Sequence, residues 1–272
     1  MTAAVDLRSA TGPLGPVTAT LRATFGTDDL PGLAPGLLVD DERGWRPATE
    51  LVDGSHLPEL LAAARQRWGG SSHAATALAW KAYVYWLALP AVLGWASARR
   101  VPLPHPSDVL VAVDTDGALV RIGLRRSTTV AVLPGDPLAL AGLPEVEVVA
   151  GETELLAALR GALVDSHVTP MLDAIHEEVR LGTRTLLGSL ASGVAHAVLR
   201  AADVLPGSSA QTIRTLLSTF GVDDLVDLVA GPNGELTVQR RTCCLAFTLP
   251  RPKVCAGCCI RPERPETTAI VS

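Results

Sequence analysis

The chain has 272 residues, of which 48% are hydrophobic and 19% charged, with a formal net charge of -5. That balance supports a buried core and excludes long disorder, and the negative charge without a long basic, aromatic surface argues against a nucleic-acid partner. The length suits one main domain with an appended module.

The opening MTAAVDLRSATGPLG has no cationic stretch leading into an apolar core, so no signal peptide is expected and the expected compartment is a reducing cytoplasm. Residues 1–55 are rich in proline and glycine, with one short helix expected at 17–25. HLPELLAAARQRWGG predicts a helix closed by Gly69 and Gly70. The stretch 74–98, AATALAWKAYVYWLALPAVLGWASA, carries one charge, Lys81, and is long enough to span a bilayer. Its alanine content, Lys81 and interruptions at Pro90 and Gly94 favour a core helix or helix pair over a span, with peripheral membrane contact as a further reading.

The period then shortens. SDVLVAVDTDGALVRIGL alternates β-branched and polar residues around Asp116-Gly117, a hairpin signal, and STTVAVLP and VEVVA are expected to extend a small antiparallel sheet. Helical spacing returns from Glu152. Thr169-Pro170 predicts a cap and first turn ahead of Leu172, Ile175 and Val179. Leu186, Leu190, Val194 and Val198 recur every four residues, and Ser208 with Gln211 predicts a capping box before Ile213, Leu216, Leu217 and Phe220. The fold class is therefore α+β, helix-rich with a small antiparallel sheet. A main domain is expected over 1–230 and a cysteine-rich module over 231–272. In that module Asn233-Gly234 marks a turn, with ELTVQR a strand and LAFTL its expected partner.

All five cysteines, Cys243, Cys244, Cys255, Cys258 and Cys259, fall within seventeen residues. From Leu236 onward six basic residues face two acidic ones, a local balance of +4, against 17 basic and 26 acidic before it. In a reducing compartment clustered thiols bind metal or act in redox chemistry more often than they form structural disulfides. The C-C-x10-C-x2-C spacing supplies four thiolates, a full ligand set for zinc or for a [2Fe-2S] cluster, and a redox dithiol remains a third reading. Adjacent cysteines serve one centre only where the backbone turns sharply, because along a strand they point to opposite faces.

That ending, with Arg240-Arg241 just before it, resembles the FhuF-type ferric-siderophore reductases. A second resemblance runs through HVTPMLDAIHEEVRLGTRTLLGS, where His167 and Pro170 match an H-x-x-P element. Arg184, Leu186, Leu187, Gly188 and Ser189 follow an R-x-L-W-G-N-like element in it, with leucine and serine in place of its tryptophan and asparagine. The resemblance implies a [2Fe-2S] cluster on Cys243, Cys244, Cys255 and Cys258, with Cys259 outside the pattern. It also implies reduction of siderophore-bound Fe(III) in the cytoplasm, with hydroxamate complexes favoured.

No Walker, dinucleotide or nucleophile-elbow motif is present, so electrons are expected from a ferredoxin, a flavodoxin or a flavin reductase. Beyond the cluster no catalytic residue is expected. Arg240, Arg241, Arg251 and Lys253 are candidates for docking the substrate or donor. His167 is the histidine singled out for substrate contact, since His176-Glu177-Glu178 lacks zinc-protease spacing. The competing reading is a zinc-stabilised module that contacts protein or nucleic acid.

Overall fold

The apolar stretch forms one unbroken helix, Ser72–Ala98, and the main core of the described residues packs around it. The Ser71 hydroxyl caps it by accepting from the Ala74 N–H at 3.2 Å. The interruption expected at Pro90 and Gly94 does not occur, and both residues are buried inside the helix. Burial on nearly every side offsets the hydrogen bond that proline cannot make, and the Arg100 carbonyl returns so close to Gly94 that a Cβ there would overlap it. Among the described residues this helix alone is long and apolar enough to cross a bilayer, by length and composition. Apolar on all sides and mostly buried, it has the pattern of a core helix.

The computed structural model describes residues 12–260, apart from 28, 115, 116, 232, 233 and 256. In chain order the elements are α1 (Gly15–Phe25), β1 (Leu33–Leu38), β2 (Arg46–Pro47), α2 (Thr49–Val52), α3 (Leu57–Trp68), α4 (Ser72–Ala98), β3 (Arg100–Pro102), β4 (Val109–Val113), β5 (Val120–Leu124), β6 (Val130–Val132) and β7 (Val146–Val148). Helix α5 (Glu152–Arg160) runs through a π-helical segment, Gly161–Val168, into α6 (Thr169–Val179), and α7 (Thr183–Arg200), α8 (Ser209–Phe220), β8 (Val226–Ala230) and β9 (Leu236–Arg240) follow.

The class is α+β as expected, with small sheets of which two contain a parallel pair and the third, β8–β9, is antiparallel. Strands β4 and β5 form the expected hairpin, with Val111 opposite Ile122. Residue 116 of its turn lies outside the described residues. β1 joins β5 in parallel and β2 joins β4, giving the order β1-β5-β4-β2. The segments expected to extend this sheet form a second one, β3-β6-β7, in which β7 is parallel to β6. Parallel neighbours need a long crossover, and a local alternation of residues cannot announce one.

Thr169-Pro170 does not start a new helix. Thr169 has helical angles inside a continuous run, and the π-helical turn ahead of it accommodates a proline that cannot donate to the carbonyl four residues back. Along α7, Leu186, Leu190, Val194 and Val198 are all fully buried, as their spacing requires, and α7 lies on α4 with Trp80 Nε1 donating to the Leu186 carbonyl at 2.8 Å. Half of the expected capping box forms on α8. The Ser208 hydroxyl accepts from the Gln211 N–H at 3.4 Å, while the Gln211 side chain turns to Thr215.

ELTVQR is a strand, but its partner is upstream. β9 pairs antiparallel with β8, Leu228 opposite Val238, and LAFTL forms a one-turn 3-10 helix at Ala246–Thr248 instead. Residue 233 of the predicted turn lies outside the described residues. The expected division at 230/231 falls in the connection between these two paired strands.

Candidate functional site

Helix α7 provides the seat for the cysteine segment. At Gly188 the backbone comes so close to Thr242 that a Cβ would overlap the threonine hydroxyl, so only glycine fits. One residue on, Ser189 Oγ accepts from Arg240 Nη2 at 3.1 Å. The element Arg184 to Ser189 thus has a structural meaning: Gly188 admits the chain leading to the cysteines and Ser189 holds the arginine before them.

The cysteines leave β9 through a sharp turn. Leu245, directly after Cys243 and Cys244, adopts φ 60 in the left-handed region, which supplies the turn that an adjacent pair needs to face one centre. The Leu245 N–H points at Cys243 Sγ at 3.2 Å, and the Ala246 N–H bonds the Cys244 sulfur. The returning loop is tied to the same strand. Arg240 N–H donates to the Gly257 carbonyl at 2.9 Å, Gln239 Nε2 donates to the Cys258 carbonyl at 3.0 Å, and a Cβ on Gly257 would overlap the Val238 carbonyl. The Cys258 N–H closes the C-x-x-C turn onto the Cys255 carbonyl at 3.2 Å.

None of the five thiols is in a disulfide, and four of them lie in two hydrogen-bonded pairs, Cys244 with Cys255 and Cys243 with Cys259. Cys244 and Cys258 are buried. Cys244 and Cys255 share a hydrogen bond, which brings the Cys244 thiol down to about 5 with Lys81 and Arg240 adding to the effect, while Cys255 is pushed up and keeps its proton. Cys259 bonds Cys243 and is raised, chiefly by burial. Among the described residues no three His, Cys, Asp or Glu side chains already converge as a metal site. The donor chemistry nonetheless fits an iron-sulfur group: thiols in quantity, N–H groups on two sulfurs, and a buried cation alongside.

Beside the thiols lies a cleft of about 1700 Å³ between α4, α7, α8 and the β8–β9 hairpin. Cys255 is the one thiol in its wall, and Lys81, Arg200, Arg214, His196, Trp68 and Tyr85 also line it. Partial burial, then Lys81 and Arg240, hold His196 below the ordinary histidine value. Asp223 and Asp227 stand on the hairpin side, and Asp227 is bound by Arg241 at 2.6 Å.

The structure redistributes the other residues singled out from the sequence. His167 is fully buried, far from any docking role: its Nδ1 lies 2.8 Å from the Pro104 carbonyl and its Nε2 lies 2.6 Å from the Tyr83 hydroxyl. A carbonyl only accepts, so Nδ1 carries the proton and Tyr83 donates to Nε2. Burial above all holds this histidine at about 4, neutral near pH 7, and raises Tyr83. Arg240 is 3% exposed and offers no surface for docking. Arg241 is exposed but paired with Asp227, whereas Arg251 and Lys253 are exposed. Sequence reasoning assigned no role to Lys81, Ser189, Arg200 or Arg214. Lys81 did carry a signal, as the lone charge in an apolar helix.

A family model described as "Ferric iron reductase FhuF-like transporter" matches residues 78–222, just over half of the chain. The chain belongs to the FhuF-like family. The matched region of this FhuF-like protein runs from α4 past α8, and so contains the seat at Gly188 and Ser189 and the cationic wall of the cleft, ending before the cysteines. A search of curated proteins found no match. Among solved structures, aerobactin synthetase IucA from a hypervirulent pathotype of Klebsiella pneumoniae is similar with TM-score 0.48 and 17% identity, over 72% of this chain and 37% of that one. Its ATP-bound form gives 0.46 and 16%, over 64% and 31%. The FhuF-like chain thus spans about a third of the synthetase's length.

Proposed function

We propose that this FhuF-like protein is a ferric-siderophore reductase, which adds one electron to siderophore-bound Fe(III) so that Fe(II) is released. The observation that carries the reading is the placement of Cys255 in the wall of a large cleft lined by Lys81, Arg200 and Arg214. Hydroxamate oxygens are hard donors that hold Fe(III) far more tightly than Fe(II), so one electron loosens the complex and the freed oxygens take up protons.

Cys243, Cys244, Cys255 and Cys258 would hold the [2Fe-2S] group that the family resemblance implies. Such a group supplies single electrons at a potential set by charge, burial and hydrogen bonds to sulfur. The chain's own residues do the rest. Lys81, Arg200 and Arg214 draw in a ferric complex whose hydroxamates are accompanied by carboxylates, since three hydroxamates alone only neutralise Fe(III), and Trp68 and Tyr85 give it apolar faces to rest on. The Leu245 and Ala246 N–H groups and Arg240 stabilise negative charge on sulfur. Arg251 and Lys253 do not line the cleft and are exposed, which suits them to receive an acidic cytoplasmic donor such as a ferredoxin or flavodoxin, or a flavin reductase.

The test is the visible and EPR spectrum of protein purified without oxygen, before and after dithionite, with iron, sulfide and zinc counted. A reduced S = 1/2 signal with two irons and two sulfides per chain supports the reading, followed by stopped-flow oxidation by ferric hydroxamates. Colourless protein holding one zinc after attempted cluster reconstitution overturns it in favour of the zinc-stabilised module.

A further inference from the structure

We infer that Arg240 is the buried counter-cation of the cysteine-held group, and that it sets how readily that group accepts an electron. This rests on the reading above for its redox consequence, but not for its electrostatics.

Arg240 is 3% exposed at the end of β9. Its Nη2 donates to Ser189 Oγ at 3.1 Å and to Thr242 Oγ1 at 3.5 Å. Among the described residues, Nε and Nη1 are buried with no partner and no carboxylate lies within ion-pair distance. A guanidinium does not shed its proton, so a buried one without an anion is among the more costly arrangements a fold can hold. Such a group persists where an anion comes to it.

The candidates nearby narrow quickly. The fields of Arg240 and Lys81 reach His196 and Cys244, and His196 is neutral or cationic. The source of negative charge that these contacts bring nearest to Arg240 is the thiolate set, beginning with Cys244, two residues after the Thr242 that Arg240 bonds. A thiolate-bound iron-sulfur centre is anionic, and one electron makes it more so. A fixed cation with two unpartnered donor nitrogens, Nε and Nη1, favours the reduced state. Ser189 and Thr242 keep the side chain in place, and Gly188 lets that assembly sit against α7. Arg240 is thus a positioning and charge-setting residue rather than a contact for siderophore or donor, which also explains why an arginine three residues before the cysteine pair is inside the protein.

The experiment compares wild type, Arg240→Met and Arg240→Lys by spectroelectrochemical titration of the cluster and by thermal unfolding of each metal-free protein. Arg240→Met should lower the equilibrium constant for reduction about tenfold, 59 mV for a one-electron couple. Arg240→Lys, which keeps the charge and loses the fork, should shift it less in the same direction. The metal-free Arg240→Met protein should be at least as stable as wild type, because it loses an uncompensated charge. An unchanged potential with full cluster content overturns the inference. If neither variant retains a cluster, the metal-free proteins decide: a lower Tm for Arg240→Met makes Arg240 a structural pin and sinks the idea, and an equal or higher Tm supports it. Should wild type bind zinc in place of iron, the reductase reading fails while this one stays testable. Zinc bound by four thiolates is also anionic, so its stabilising effect should shrink in Arg240→Met, and an undiminished effect would count against the inference.

Discussion

Gly188 on α7 and Thr242 ahead of the cysteine pair approach so closely that no side chain fits between them. The contact joins the helical core to the cysteine segment. Substituting Gly188→Ala forces α7 and residues 242–244 apart, at a cost of about 1–3 kcal/mol typical of overpacking. Thermal unfolding should show the lower Tm, and iron analysis should show reduced metal content, since Ser189 and Arg240 shift with it.

Single Cys→Ser changes at Cys243, Cys244, Cys255 and Cys258 should each remove or strongly deplete bound iron, whereas Cys259→Ser should retain it. Iron and sulfide counts with the visible spectrum read the result. Full retention in any of the first four variants, with loss in Cys259→Ser, would reassign the ligand set to include Cys259, which touches Cys243.

Lys81 projects from the core helix into the cleft. Lys81→Glu should slow oxidation of the reduced protein by an anionic ferric complex roughly tenfold at low salt, with the difference shrinking as ionic strength rises. Stopped-flow traces across a salt series check this. A salt-independent loss would indicate a folding defect instead.

Arg251 and Lys253 stand outside the cleft. Reversing both to glutamate should weaken reduction by an acidic ferredoxin by about tenfold while leaving reduction by dithionite unchanged. Parallel kinetics with the two reductants separate donor docking from any change in the cluster itself.

The buried His167 makes stability depend on pH. Its folded value is about 4 against 6.5 unfolded, so between these limits the unfolded chain binds the extra proton. The stabilisation is complete above pH 6.5 and falls as the pH drops toward 4, by at most roughly 3 kcal/mol over that window. Urea unfolding from pH 7.5 to 4.5 should show this slope, and His167→Gln should flatten it. His196, lowered as well, adds to the slope in the same direction.

Much of this protein was already present in its sequence. Helical spacing marked the buried faces of α6, α7 and α8, and the Ser208 cap located the start of α8, because each of these depends on residues close along the chain. What lay across from them was settled only by tertiary structure. A strand's alternation does not name its partner, so β9 paired upstream with β8 and parallel neighbours entered the other two sheets. Charge alone does not report burial either: Arg240 and His167 look like surface residues in sequence, yet one is enclosed beside the thiols and the other is locked between Tyr83 and Pro104. Lys81 reads as an interruption in an apolar helix until α7, α8 and the hairpin close around it. Whether a polar side chain is solvated or enclosed depends on contacts across long sequence separations, and those exist only in the folded chain.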